Sequence, residues 1–292
     1  MNRRKFLQQA GAASISLPLI NSYLADNILG DNQTKKITIL HTNDVHSHID
    51  PFPANHKKYP NLGGAARRYN IIQSIRSENP NTLLLDSGDA FQGTPYFNFY
   101  GGELEFKLMS KMGYQASTIG NHEFDNGIDN ITQQLPFADF DMINANYDFS
   151  QTSLSGKTKP HEIYEVGGLK VGIFGLGIEL DGLVSKKLYQ ETVYHDPVEV
   201  AREQVEILRN QQKCDLVICL SHLGFDYSSD KISDKKLASL TSGIDLILGG
   251  HTHTFLNEPL NIKNAENQNV MINQVGWAGI NLGKIDFYLK KD

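Results

Sequence analysis

Five short apolar runs in this 292-residue chain each end in residues able to bind a metal, and that repetition constrains the fold more than any single motif does. Ile37-Thr-Ile-Leu40 leads into His41-Thr-Asn-Asp44-Val-His46, Leu83-Leu-Leu85 into Asp86-Ser-Gly-Asp89, and Ala116-Ser-Thr-Ile119 into Gly120-Asn121-His122-Glu123. Leu216-Val-Ile-Cys-Leu220 precedes Ser221-His222, and Ile244-Asp-Leu-Ile-Leu248 precedes Gly249-Gly-His251-Thr-His253. Short apolar runs bounded by turn residues read as buried strands. In an open α/β sheet, ligands bind beyond the carboxyl ends of such strands. All five clusters are therefore expected to converge on one edge.

The rest of the chain alternates in the same way. Strands are expected at 36–41, 82–86, 116–119, 141–145, 161–166, 169–176, 215–221, 244–249, 270–275 and 283–289, and helices at 64–78, 102–112, 125–135 and 197–212. In the last of these, Val198, Val200, Ala201, Val205 and Leu208 form a helix-period stripe. The βαβα order points to a mostly parallel sheet covered by helices. Gly167-Gly168 between two apolar runs reads as the turn of a hairpin. That hairpin, like the C-terminal pair of strands around Trp277, is a candidate for a second sheet packed on the first. With 40% hydrophobic residues the chain can bury a large core as one domain or one domain with small additions. A net charge of −6 argues against a nucleic-acid-binding surface. Cys214 and Cys219 are too close along one strand for a mutual disulfide and read as buried thiols.

Residues 1–31 follow a different logic. Arg3-Arg4-Lys5 precedes a mild apolar stretch, Ala10 to Ile20, too short to span a bilayer. The arrangement resembles a twin-arginine leader, which implies export to the periplasm, with a mature start between about Ser22 and Asp31 and a catalytic domain over 32–292. A basic amphipathic N-terminal helix is the alternative. No lipid-attachment cysteine follows the apolar segment, so no stable membrane anchor is expected.

The chemistry of the clusters is specific. Asp44 and His46 lie two apart, which on an extended strand end places both side chains on one side. Asp89 offers a carboxylate whose two oxygens can bridge two metals, and Gly88 lets the backbone approach closely. Asn121 supplies an amide oxygen, and His222, His251 and His253 supply imidazoles. The inventory divides into Asp44, His46, Asp89 and His253 around one ion and Asp89, Asn121, His222 and His251 around the other. Mixed nitrogen and oxygen donors suit two divalent ions of Zn, Mn, Fe or Co rather than Mg or Ca. Two such ions with two aspartates and a bridging hydroxide carry about one net positive charge, which suits an incoming phosphate.

Taken together, Asp44-x-His46, Gly88-Asp89, Gly120-Asn121-His122-Glu123-Phe124-Asp125, His222 and Gly250-His251-x-His253 occur in the order of the calcineurin-like metallophosphoesterases, and the sequence resembles in particular the catalytic domain of the 5′-nucleotidase family over residues 36–290. The resemblance implies a four-layer αββα sandwich with mixed, mostly parallel sheets, and two metals bridged by an aspartate and a water. It also implies a catalytic dyad in which His122 stabilises the transition state or protonates the leaving oxygen and Asp125 orients it. The spacing is compatible: His122 and Asp125 are three apart where a helix begins. Asp125 as a mere helix cap is the alternative reading.

Several neighbours have roles to assign. Gln92-Gly93-Thr94-Pro95 also matches the nucleotidase pattern and is expected to form a rigid wall of the site. His48 either lines the cleft or is exposed, His41 is read as structural or as a partner of the ligands, and His56, His161 and His195 as surface residues. The expected substrate is a small phosphoester, a 5′-nucleotide foremost, with 2′,3′-cyclic nucleotides within the same reading. Typical 5′-nucleotidases continue into a nucleobase-clamping C-terminal domain, whereas this sequence ends at Asp292. The expectation is therefore either a broad phosphomonoesterase or a separately encoded nucleotide-binding partner. Two further readings are a hydrolase like the thiosulfohydrolase of sulfur oxidation, which shares this fold, and a non-catalytic metal-binding subunit.

Overall fold

The computed structural model describes residues 34–290; the leader reading therefore lies outside the described residues. Two sheets face one another. The first runs β13-β1-β2-β3-β4, from β1 (Thr34–Thr42), β2 (Thr82–Asp86), β3 (Ala116–Ser117), β4 (Asp141–Met142) and β13 (Gly283–Lys290). The second runs β11-β12-β10-β9-β7-β6, from β6 (His161–Val166), β7 (Leu169–Leu176), β9 (Leu216–Ser221), β10 (Leu246–Gly249), β11 (Leu260–Lys263) and β12 (Asn269–Asn273). A small ribbon pairs β5 (Tyr147–Asp148) with β8 (Val193–Tyr194). Neighbours β1 to β4 are parallel, as are β7, β9, β10 and β12, while β13, β11 and β6 join as antiparallel edges.

The four-layer arrangement follows from side-chain alternation. Ile37 and Ile39 of β1, Leu83 and Leu85 of β2, and Leu216, Ile218 and Leu220 of β9 point inward to a core between the sheets. The intervening residues point out. Leu40 and Leu84 pack under α1 (Ala65–Glu78), α2 (Pro95–Tyr100), α3 (Glu103–Met112) and α4 (Ile128–Gln134), joined by Ile72, Phe106 and Ile131. Val217 and Cys219 pack under α6 (Pro197–Val205) and α7 (Asp234–Leu240), with Ala201 and Leu237; a further short helix is α5 (Lys186–Tyr189). Both sheets are buried on both faces, which is why their central strands read as continuous apolar runs. No helix among the described residues is long and apolar enough to cross a membrane.

The predicted hairpin is present, with Gly167 and Gly168 both at positive φ as a two-residue turn of this kind requires. Both cysteines are buried and free. Four expectations need correction. The binding clusters do not line one sheet: three follow β1, β2 and β3, and two follow β9 and β10 of the other sheet. The strands flanking Trp277 do not pair with each other, since β12 joins the second sheet and β13 crosses back to the edge of the first. The helix expected at 125–135 starts at Ile128, because a single 3₁₀ turn, His122–Phe124, precedes it. The helix expected to reach 212 is α-helical only to Val205 and continues through Glu206–Gln211 with wider, π-type bonding.

Candidate metal centre

The site lies where the carboxyl ends of both sheets meet. β1 ends at Thr42, so Asp44 and His46 are not on an extended strand as the two-residue spacing suggested; their φ angles are 49° and 50°. Asp89 (56°), His251 (69°) and His253 (52°) are likewise left-handed, so five of the twelve non-glycine residues with positive φ among the described residues are candidate ligands. A left-handed residue costs free energy, and such residues persist at functional sites because their surroundings over-determine them. Here the bonds that do so are visible. Asp44 N donates to Gly88 O at 2.9 Å, His46 N to Asp89 O at 3.0 Å, and Ser47 N to Ala90 O at 2.9 Å, locking the loop after β1 to the loop after β2.

Two groups of donors result. Asp44, His46 and His253 converge in one, and Asp89, His222 and His251 in the other. In the first, His253 Nε2 lies 3.3 Å from Asp44 Oδ1, and His46 Nε2 lies 2.9 Å from His253 Nε2. In the second, His222 Nε2 lies 2.9 Å from Asp89 Oδ2, and His251 Nδ1 lies 2.8 Å from Asn121 Oδ1. The same Asp89 oxygen is 4.0 Å from His46 Nε2, so one carboxylate stands between the groups. All seven residues expected as ligands are therefore gathered in one place.

The donors fit cations better than they fit one another. His222 Nδ1–H donates to Ser87 O at 2.6 Å, so Nε2 is the nitrogen turned to the site; burial works against charging the ring, but Asp89 and Asp44 raise it to about 10 in the absence of a metal, and a bound cation would replace that Nε2 proton. That fully buried nitrogen is near Asp89 but has no aligned hydrogen-bond partner. His46 is fixed by the same device, with Nδ1 3.2 Å from Phe91 O and Nε2 turned inward. Glycines make room: a Cβ on Gly120 would fall 2.2 Å from Asp89 Oδ1 and 2.7 Å from His222 Nε2, and one on Gly250 would fall 2.8 Å from His222 Nδ1. A Cβ on Gly88 would lie 2.7 Å from Gly120 N, so its expected role in close backbone approach holds. Burial, then the charge of His222, pushes His251 down to about 4, which keeps it neutral as a ligand must be. Burial opposes ionising Asp89, but His222, through its charge and proximity, together with His46 and His122 outweighs it and holds the carboxylate well below its ordinary range.

His122 and Asp125 meet at 2.8 Å, Nδ1 to Oδ2, each about a third exposed. The contact comes from the 3₁₀ turn, in which residues three apart eclipse, rather than from an α-helix start. The His122 ring lies 5.1 Å from that of His46, edge to face. Burial works against protonating His122, but the Asp125 hydrogen bond and the charges of Asp89, Asp125 and Glu123 raise it above its ordinary value.

Some supporting residues carried no role in the sequence. Glu123 is buried and accepts four backbone N–H groups, from Asp89 (2.9 Å), Ala90 (2.7 Å), Phe91 (3.3 Å) and Gly120 (2.6 Å), tying the β2 and β3 loops together. Its place beside His122 was the only available signal. Asn43 Nδ2 donates to Asp44 Oδ2 and Gly276 O, both at 2.6 Å, linking the first sheet's loop to the end of β12. Gly93 packs on His46, where a Cβ would meet its carbonyl oxygen at 2.6 Å, and Thr94 Oγ1 donates to Ser47 O at 2.8 Å, so the Gln92–Pro95 turn does form a wall. His41 is structural: it faces the inter-sheet core and accepts from Asn273 Nδ2 at 2.9 Å. His48 packs against Phe52 and Trp277. His56 and His161 are half-buried rather than surface residues, the first stacked on Tyr59 and the second 2.6 Å from Gln204 Oε1.

Several known proteins are similar to this chain. Residues 37–255 match the family described as Calcineurin-like phosphoesterase. The chain is 34% identical over 236 residues to a 5′-nucleotidase of Diplobatis ommata, covering 78% of this chain and 39% of that protein. It is 32% identical over 282 residues to the trifunctional nucleotide phosphoesterase YfkN of Bacillus subtilis, covering 86% of this chain and 18% of that one. Among solved structures, the 5′-nucleotidase precursor of Thermus thermophilus superposes with a TM-score of 0.78 at 33% identity, over 86% of this chain and 51% of its own. The chain thus spans less than half the length of these curated relatives.

Proposed function

The chain belongs to the calcineurin-like phosphoesterase family, and on that footing we propose that it hydrolyses phosphate monoesters, 5′-nucleotides foremost, at two divalent ions. One observation carries the reading: the Asp89 carboxylate stands between two separate donor groups, within 2.9 Å of His222 Nε2 and 4.0 Å of His46 Nε2. Asp44, His46, Asp89 and His253 would hold one ion, and Asp89, Asn121, His222 and His251 the other. The mixture of imidazole, carboxylate and amide donors suits Zn, Mn, Fe or Co. When bound, such a pair supplies an activated water and neutralises charge on the phosphate.

The protein's own residues do the rest. Asp125 holds His122 through Nδ1, which leaves Nε2–H as the ring's other donor, and on a third-exposed ring beside His46 that proton would be available to the oxygen of the departing alcohol. Protonation of that oxygen lets the alcohol leave neutral. The local charges that raise the His122 pKa keep the proton in place until the bond breaks. Glu123 and the glycines keep the ligand loops in register and the donors close. A metal-binding subunit without turnover would need no such acid.

Phosphate release from AMP, UMP and p-nitrophenyl phosphate, on metal-analysed protein with and without chelator, tests the reading. Turnover that chelator abolishes and metal restores supports it; failure with every phosphoester despite two bound ions per chain refutes it. Location in the periplasm is a finer proposal, supported by the Arg3-Arg4 pair and the apolar stretch after it. Replacing both arginines with lysine should retain the protein in the cytoplasm, and unchanged export would exclude the twin-arginine route.

A further inference from the structure

One candidate ligand lacks the support that others have. His46 and His222 each have the ring nitrogen turned away from the site fixed by a backbone carbonyl, Phe91 O at 3.2 Å and Ser87 O at 2.6 Å. That second bond sets the plane of a metal-binding imidazole. His253 turns Nε2 toward Asp44 Oδ1 and His46 Nε2, but among the described residues nothing bonds its Nδ1, and its side chain is 39% exposed. The terminal torsion of histidine is broad, so a ring placed like this is free to turn unless something else fixes it.

Trp277 takes that place. Its indole stacks on the His253 ring, with centroids 5.7 Å apart and planes 6° from parallel. The backbone on either side of the indole is tied down: Gly276 O accepts from Asn43 Nδ2 at 2.6 Å, and Ala278 N donates to Asp44 O at 2.8 Å. Those bonds join Trp277 to the loop that carries Asp44 and His46, the other two donors of the same group. An aromatic shelf then braces the indole from outside. His48, Phe52 and Tyr59 contact it with centroids 5.2, 5.9 and 6.4 Å away, and Phe255 stacks in turn on Tyr59 at 6.1 Å. A ring held on several sides keeps one orientation, so its plane is set before His253 meets it.

We infer that Trp277 is the positioning residue of His253, holding the imidazole at the angle its Nε2 needs for the ion shared with Asp44 and His46. The inference rests on the two-ion reading above. Coordination through Nε2 would leave the imidazole more positive, and an indole face attracts a positive ring more strongly than a neutral one, so the stack favours the loaded site.

Calorimetric titration of the metal-stripped full chain with zinc tests it without turnover. Trp277→Leu should weaken one of the two ions by about tenfold, the lower end of the range for residues that orient a metal-binding imidazole, and leave the other within about twofold. Trp277→Phe retains a stacking ring and should recover most of that loss. Because the effect runs through His253, adding Trp277→Leu to His253→Ala should cost less than about twofold more, the non-additivity expected of two residues acting as one unit. Trp277 is the only tryptophan of the chain, so the unaltered protein supplies a second measurement. Zinc uptake should change its emission, and His253→Ala should remove most of that change. Equal weakening of both ions, a phenylalanine variant no better than leucine, a penalty that adds in full to His253→Ala, or emission indifferent to zinc would each overturn the inference. Failure of the unaltered chain to bind zinc would overturn the two-ion reading and this inference with it, whereas two ions bound with unchanged affinity by Trp277→Leu would overturn the inference alone.

Discussion

A single methyl group placed on Gly120 probes the candidate centre more cleanly than removal of a ligand. The φ of Gly120 lies outside the left-handed region, so alanine there adds no backbone strain. Its Cβ, however, would fall 2.2 Å from Asp89 Oδ1 and 2.7 Å from both Nε2 and Cε1 of His222, where ordinary contact begins near 3.4 Å. Asp89 and His222 must therefore move by about 1.2 and 0.7 Å. Neither is free to do so, since Asp89 Oδ1 accepts from His122 N at 2.8 Å and His222 is pinned to Ser87 O at 2.6 Å. Overpacking of this kind costs about 1–3 kcal/mol of stability, which a domain of this size survives. The site should not survive it: metal–ligand distances tolerate about 0.2 Å, and a misplacement of about 1 Å costs on the order of a hundredfold in rate. Elemental analysis of folded Gly120→Ala protein should show less than two ions per chain, with phosphate release down by about that factor. A variant that keeps both ions and full activity would refute the proposed ligand geometry.

Two other outcomes are expected. His122→Asn should retain metal while turnover falls by about 10²–10⁴, the range for general acid–base groups; loss of metal instead would make His122 a ligand. His41 gives a pH signature in stability. Burial pushes it down to about 3, so between there and its unfolded value of 6.5 the native state binds fewer protons than the unfolded chain. The stability it contributes is complete above about pH 6.5 and declines as pH falls toward 3, by about 2 kcal/mol at pH 5. Denaturant unfolding of chelated protein at pH 7 and pH 5 should show that loss, and His41→Gln should lack it; parallel pH dependence in the two proteins would contradict the assignment.

The chain's local pattern determined much of this protein by itself. Apolar runs such as Leu83–Leu85 and Leu216–Leu220 are continuous because both faces of each sheet are covered, and a run of that kind followed by Gly-Asp or Ser-His is legible without any partner strand. The identities of all seven gathered residues were legible for the same reason, since each sits just beyond a strand. Tertiary structure decided how they meet. Sequence spacing placed Asp44 and His46 on an extended end, whereas the loop turns left-handed there, held by bonds to Gly88 and Asp89 some forty residues away. The division of the clusters between two sheets was equally invisible, because which strands pair depends on burial shared across the chain and not on any one segment. Glu123 and the aromatic shelf belong to that second kind of fact: the first acts on backbone amides from two loops, and the second joins rings from positions 48–59 to rings at 255 and 277. A sequence names the donors; only the packed chain sets the distances between them, and binding and catalysis depend on those distances.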